Sequence, residues 1–318
     1  MFRGAHRIAL LSIFSAIAGI TLSSQAALAG LLNNGQLIDS KESLYNNIYV
    51  YKQGSYVSLT FGYNNTIYTE STYNTRDEGE LPLVYTRYMT AGLIYPEKIN
   101  SILEIGFGGG RTSWYLHRAL PKVAVTSVEL DAEIIQMARK YFGIRDEPNF
   151  TVANKDGRIF LTGTKMHYDV IMIDAYRGPF VPFHLLTKEF YQIVAEHLSP
   201  GGIVVQNVAP DTMLFDSAVK TIHSAFPQVE FYPADGNIVT VAYAGHRRSR
   251  DDLIRVAAQR QAQFHMRYNL SELLKARQLY PPGTTVIDPH AQVLTDDFAP
   301  VEALHAIERH NRKWPNKQ

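Results

Sequence analysis

Four carboxylates stand where apolar runs end: Glu104, Glu129, Asp156 and Asp174. Glu104 comes just before the turn Gly106-Phe107-Gly108-Gly109-Gly110. There Gly106, Gly108 and Gly110 can take backbone angles closed to other residues and let a ligand lie against the main chain. Glu129 closes the next apolar run, 25 residues after Glu104. A glycine turn after one strand and an acid at the tip of the next is how an open α/β sheet grips a nucleoside, with the acid on the ribose hydroxyls. Dinucleotide folds delay their third glycine to seat a pyrophosphate. Here Gly110 follows at once, Arg111-Thr112-Ser113-Trp114 comes next, and the acid at Glu104 would repel a phosphate.

These features favour a ligand with a ribose, an adenine and a positive centre but no phosphate. S-adenosylmethionine or its decarboxylated form fits that description as a co-substrate. Asp156-Gly157 follows a third apolar run, where a carboxylate can accept the adenine amino group; the alternative is a plain Asp-Gly turn. Asp174 ends Ile171-Met172-Ile173-Asp174. A partly desolvated carboxylate there can act as a general base toward an amine, the alternative being a cap for the following loop. His184 can line the same crevice or serve as a packed, helix-entrance histidine. No His/Asp/Glu spacing matches a metal site, and no serine sits in a nucleophile elbow.

The elements that must position these groups follow from periodicity. Strands are expected at 101–105, 124–130, 150–153, 170–174, 202–207, 229–232 and 238–244, and helices at 112–119, 132–141, 187–198 and 212–225. Apolar β-branched runs separated by helices indicate a largely parallel sheet covered on both faces. The last two strands are joined only by residues 233–237, which reads as an antiparallel edge hairpin. The fold class is therefore α/β, with a methyltransferase-type Rossmann-like sheet. From Asn46 to about Thr72 the apolar pattern switches to period two, giving a small tyrosine-rich antiparallel β-unit. A helix is expected over 82–95, and helices follow in the tail, capped at Ser249 and covering 270–279, with a last one from about Val301. Expected segments are thus 1–29, 30–81 for the β-unit, 82–245 for the nucleoside domain and 246–318 for a helical extension.

Residues 1–29 read as a targeting segment: Arg3, His6 and Arg7, a largely apolar stretch to Leu22, and small residues at Ala27-Leu28-Ala29. Export to the periplasm with cleavage is the first expectation, and an uncleaved inner-membrane anchor the second. Either way the positive charge stays inside and the body faces outward. A formal net charge of +1 gives no sign of a nucleic-acid partner. The absence of cysteine excludes disulfides and thiolate catalysis. A homodimer is left open.

Over roughly Tyr45 to Gly245 the chain resembles the spermidine synthase (polyamine aminopropyltransferase) family. The resemblance is carried by Glu104 to Gly110, Val128-Glu129-Leu130-Asp131, Asp156-Gly157-Arg158, Tyr168 to Ala175 and Leu186 to Tyr191. Leu83 to Met89 and Leu294 to Val301 look like a branch often fused to membrane transporters. The resemblance implies a polyamine-biosynthetic transferase moving an aminopropyl group to an amine acceptor, with Asp174 as base and Tyr85 beside the substrate. Three positions depart from the family pattern. Gly109 stands where an aspartate holds the aminopropyl amine, Thr86 replaces a histidine, and Arg177 replaces a second aspartate that receives the diamine. A guanidinium repels a cationic amine, by on the order of 1 kcal/mol even when screened. An acceptor carrying an acid group is therefore expected, provided Arg177 does not turn outward to a surface acid. Two other readings stand beside aminopropyl transfer. One is a methyltransferase using intact S-adenosylmethionine, for whose carboxylate Gly109 leaves room; the other is a non-catalytic extracytoplasmic nucleoside-binding protein.

Overall fold

The computed structural model describes residues 35–297 except 64–65, 211, 213 and 285–286. The expected targeting segment and the helix from Val301 lie outside the described residues. Among those described, no helix is long and apolar enough to cross a membrane. The chain opens with four antiparallel strands in sequential order, β1 (Gln36–Glu42), β2 (Asn47–Gln53), β3 (Tyr56–Tyr63) and β4 (Thr66–Asn74). After helix α1 (Val84–Met89) comes the main sheet, with strands β5 (Ser101–Ile105), β6 (Ala124–Glu129), β7 (Phe150–Asn154), β8 (Tyr168–Ile173), β9 (Leu198–Val208), β10 (Gln228–Ala234) and β11 (Asn237–Tyr243). Their spatial order is β10-β11-β9-β8-β5-β6-β7. The strands from β7 to β9 run parallel, while β11 pairs antiparallel with β9 and with the edge strand β10. The edge hairpin is where the sequence placed it.

Helices cover both faces of the main sheet. Along β5, Ile102 joins one buried cluster and Leu103 and Ile105 the other, as strand alternation requires. The first cluster includes apolar residues of α2 (Arg111–Ala119), α3 (Ala132–Tyr141), α7 (Arg250–Phe264) and α8 (Leu270–Leu274), together with Ile48, Val50, Val57, Leu59 and Phe61 of the small sheet. The second draws on α4 (Gly157–Gly163), α5 (Lys188–Glu196) and α6 (Phe215–Ala225). The small sheet thus has no separate core; it shares one with the nucleoside domain.

Several boundaries differ from expectation. Strand β1 was unforeseen because QLIDSKE is polar and largely exposed, the composition of an edge strand. The helix expected over 82–95 divides into α1 and a 3-10 turn, Thr90–Ile94, where Gly92 lies so close to β9 that a Cβ would meet Val205 at 2.2 Å. Helix α4 was read as a possible turn; Asp156 caps it instead by accepting from the Ile159 N–H at 2.9 Å. Helix α8 stops at Leu274 rather than Leu279, because Arg277 pairs with the buried Glu230 and Gln278 exchanges backbone hydrogen bonds with Phe231. Ser249 caps α7 as expected, accepting from the Asp252 N–H at 3.1 Å.

Candidate active site

A cavity of about 330 Å³ opens beyond the carboxyl ends of β5, β6 and β8, within the range of roughly 300–1,000 Å³ usual for small-molecule sites. Its walls include Glu104, Gly106, Gly108, Glu129, Asp156, Gly157, Asp174, Tyr85, Arg177 and His184, all of them residues singled out by sequence. Gly110 stands just behind, left-handed at φ 69°, as the residue preceding α2. The glycine turn is held hard against the end of β8. Gly106 has φ 92°, and a Cβ there would meet the Asp174 carbonyl oxygen at 2.3 Å. Only glycine satisfies both demands, and this close passage brings the nucleoside turn beside Asp174.

Glu129 is buried, and backbone donors already hold its carboxylate. Oε2 accepts from the N–H groups of Phe107 (3.0 Å) and Gly108 (3.2 Å), and Oε1 from that of Asp131 (3.0 Å). Oε2 has both lone pairs occupied, but Oε1 keeps its second, so the group can still receive a ribose hydroxyl there. Glu104 is 2 % exposed and accepts from the Ser127 hydroxyl at 3.1 Å. Burial pushes its carboxyl up to about 8, so it is mostly neutral at pH 7. Asp156 pairs with His184, Oδ2 lying 2.8 Å from Nε2, and this bond holds its carboxyl below the usual range. His184 lines the crevice, as one of its two readings had it, and its partner there is Asp156. Arg158 donates to the His184 carbonyl (3.3 Å) and to Asp296 (2.8 Å), tying the C-terminal segment to this wall.

Asp174 accepts from Asn207 Nδ2 at 3.0 Å and from the Tyr85 hydroxyl. Burial nevertheless pushes its carboxyl up to about 6. Tyr85 is pushed well above the usual tyrosine range by burial and by the Asp174 charge, so it stays protonated and donates. Arg177 is exposed and lies at the rim, where it borders both this cavity and a neighbouring recess. Its backbone pairs with Phe180, and none of the ion pairs seen among the described residues uses its guanidinium.

Three contributors went unforeseen. Asn207 lies one residue before the end of β9, and nothing in a buried apolar strand marks one amide as a partner for an acid 33 residues earlier. Asp131 caps α3 and also accepts from Asn46 Nδ2 at 3.3 Å, closing the 43–46 turn over the nucleoside end. Glu70, on β4, lines the cavity. Its only signal was an acid within a tyrosine- and threonine-rich strand. Burial and the charges of Asp174 and Glu129 raise its carboxyl well above the usual range.

An α/β sheet that brings a glycine turn and a buried carboxylate together at its switch-point crevice has the layout of a transferase of the methyltransferase-type fold. Residues 85–245, about half of the chain, match the spermine/spermidine synthase domain, and the protein belongs to that family. It is 29 % identical over 283 residues to a polyamine aminopropyltransferase of Vibrio vulnificus, covering 86 % of this chain and 93 % of that one. It is 26 % identical over 188 residues to an eEF1A lysine and N-terminal methyltransferase homolog of Drosophila melanogaster, covering 54 % of this chain and 28 % of that one. A spermidine synthase solved in complex with the transition-state analogue AdoDATO superimposes with a TM-score of 0.62 at 22 % identity, over 78 % of this chain and 85 % of that one.

Proposed function

We propose that the protein transfers an aminopropyl group from decarboxylated S-adenosylmethionine to an amine acceptor. The observation that carries this reading is Asp174: a carboxylate beside the glycine turn, fixed by Asn207 and Tyr85, with its carboxyl raised to about 6. Adenine would lie toward Asp156 and His184, and the ribose hydroxyls on Glu129. The acceptor nitrogen attacks the propyl carbon next to the sulfonium. A C–N bond forms as the C–S bond breaks, methylthioadenosine leaves with the electron pair, and Asp174 takes the proton from the nitrogen. A base raised toward the working pH accepts that proton more effectively than an ordinary aspartate. Alignment of the two reactants in a closed cleft supplies much of the rate. Arg177 at the rim favours an acceptor with an acid group over a simple diamine. The basic and apolar residues 1–29 support an exported, outward-facing enzyme.

Methyl transfer from intact S-adenosylmethionine is the second reading, favoured by the absence of a repelling acid at Gly109 and by the similarity to a methyltransferase, although Phe142 and Ser71 fill the space that Gly109 was expected to leave. Mass spectrometry of an amine panel incubated with each donor separates the two. Aminopropylated product with release of methylthioadenosine supports the proposal, while methylated product with S-adenosylhomocysteine refutes it.

A further inference from the structure

The cavity is rich in acids: Glu70, Glu104, Glu129, Asp131, Asp156 and Asp174 all line it, Glu104 being mostly neutral at pH 7. Its basic lining side chains do little to balance them. Arg111 is spent on the carbonyls of Phe142 (2.7 Å) and Glu78, Arg177 is exposed at the rim, and His184 serves Asp156. Most of the acids are answered by donors of the protein, but Glu70 differs. Its Oε1 is shut away from solvent and accepts no hydrogen bond among the described residues. An unanswered buried carboxylate oxygen costs stability, and it persists where a ligand completes it.

The position fits one end of the donor. Ser71, the next residue on β4, accepts from the Gly109 N–H at 2.8 Å, so Glu70 adjoins the glycine turn. It lies on the wall of the same cavity, within electrostatic reach of both Asp174 and Glu129. The glycine turn itself cannot supply an acid there. A Cβ on Gly109 would meet the Phe142 ring and Ser71 Cβ, each at 2.7 Å. Taking aminopropyl transfer as the reaction, we propose that Glu70 is the counter-ion for the ammonium group of decarboxylated S-adenosylmethionine. The small antiparallel sheet, rather than the glycine turn, then selects the donor. Intact S-adenosylmethionine would bring its carboxylate toward Glu70 and Asp174 and be rejected by like charge.

Calorimetry on the full chain tests this with three probes: decarboxylated S-adenosylmethionine, intact S-adenosylmethionine, and methylthioadenosine, which lacks the ammonium. The wild type should favour the decarboxylated donor over the intact one by about 10-fold or more. Glu70→Gln should weaken the decarboxylated donor by roughly 10- to 100-fold, as for a lost charge-assisted hydrogen bond, and leave methylthioadenosine within about 2-fold. Glu70→Asp, one methylene shorter, should give a smaller loss confined to the same probe. Methylthioadenosine binding also certifies that each variant is folded. Unchanged affinity of Glu70→Gln for the decarboxylated donor would overturn the assignment, and so would an equal loss for methylthioadenosine. If wild-type aminopropyl transfer persists undiminished in Glu70→Gln, only the role of Glu70 fails. A wild type that prefers intact S-adenosylmethionine and makes methylated product overturns the reaction as well.

Discussion

The two ends of the cavity solve the same electrostatic problem in opposite ways. At the nucleoside end, Glu129 takes three backbone N–H groups, Asp156 takes a helix N-terminus and His184, and Glu104 takes serine hydroxyls. These acids are oriented before any ligand arrives, which suits neutral hydroxyl and amino donors. At the reacting end, Asp174 has two donors and Glu70 an unanswered oxygen; burial raises both carboxyls, and the Asp174 charge raises that of Glu70 further. A cation there relieves a cost already built into the fold. In the proposed reaction, satisfied carboxylates give position, and unsatisfied ones give a base and a preference for positive charge.

The largest break in this comparison should come from Asp174→Asn, which keeps the hydrogen-bonding shape but removes the base. Turnover should fall by about 10²-fold or more while methylthioadenosine affinity holds. In the wild type kcat/KM should drop as pH falls through about 6, because only ionised Asp174 accepts a proton. A limb near the ordinary aspartate value, or normal turnover by the variant, would make Asp174 a loop cap. Glu129→Ala attacks the other end. Nucleoside binding should weaken by roughly 1.5–3 kcal/mol, with unchanged affinity in a folded variant refuting the ribose role.

Glu104 sharpens the contrast through stability. Its carboxyl is raised when folded, so the stability it contributes is complete below about pH 4.5 and is lost as pH rises through about 8. Denaturant titrations should show Glu104→Gln gaining on the wild type between pH 5 and 9, by on the order of 4 kcal/mol. A constant difference across that range would contradict the burial of an ionisable group. The smallest effect belongs to the rim: Arg177→Asp should raise kcat/KM for putrescine several-fold, consistent with roughly 1 kcal/mol for a screened charge contact. Efficient putrescine use by the wild type would dismiss Arg177 as a filter.

The nucleoside end was legible in the sequence because its chemistry is local. A glycine turn, an acid at each strand tip and the parallel β-α alternation all lie within a few residues of the groups they position. Gly106, Glu129, Asp156 and Asp174 accordingly line one cavity. The reacting end was legible only in part. Glu70 comes from β4 and Asn207 from β9, 104 and 33 residues from Asp174, and their convergence depends on how the small sheet packs on the large one. That packing is set by shared apolar side chains, which carry no mark of the polar neighbours they bring together. His184 shows the same limit: the sequence could place it on the crevice but not name its partner, Asp156, to which the 3-10 turn Phe183–Leu185 presents it.

Proton release on binding measures the difference between the two ends most directly. Calorimetry at pH 6 in buffers of different ionisation enthalpy counts the protons expelled by decarboxylated S-adenosylmethionine and by methylthioadenosine. An ammonium docked between Glu70 and Asp174 lowers both carboxyls and drives off their protons. The decarboxylated donor should therefore release at least ~0.5 proton more than methylthioadenosine, the share Asp174 alone holds at its midpoint of about 6. Equal release by the two ligands, or net proton uptake with the donor, would show that no cation meets these acids and would contradict the account of the reacting end.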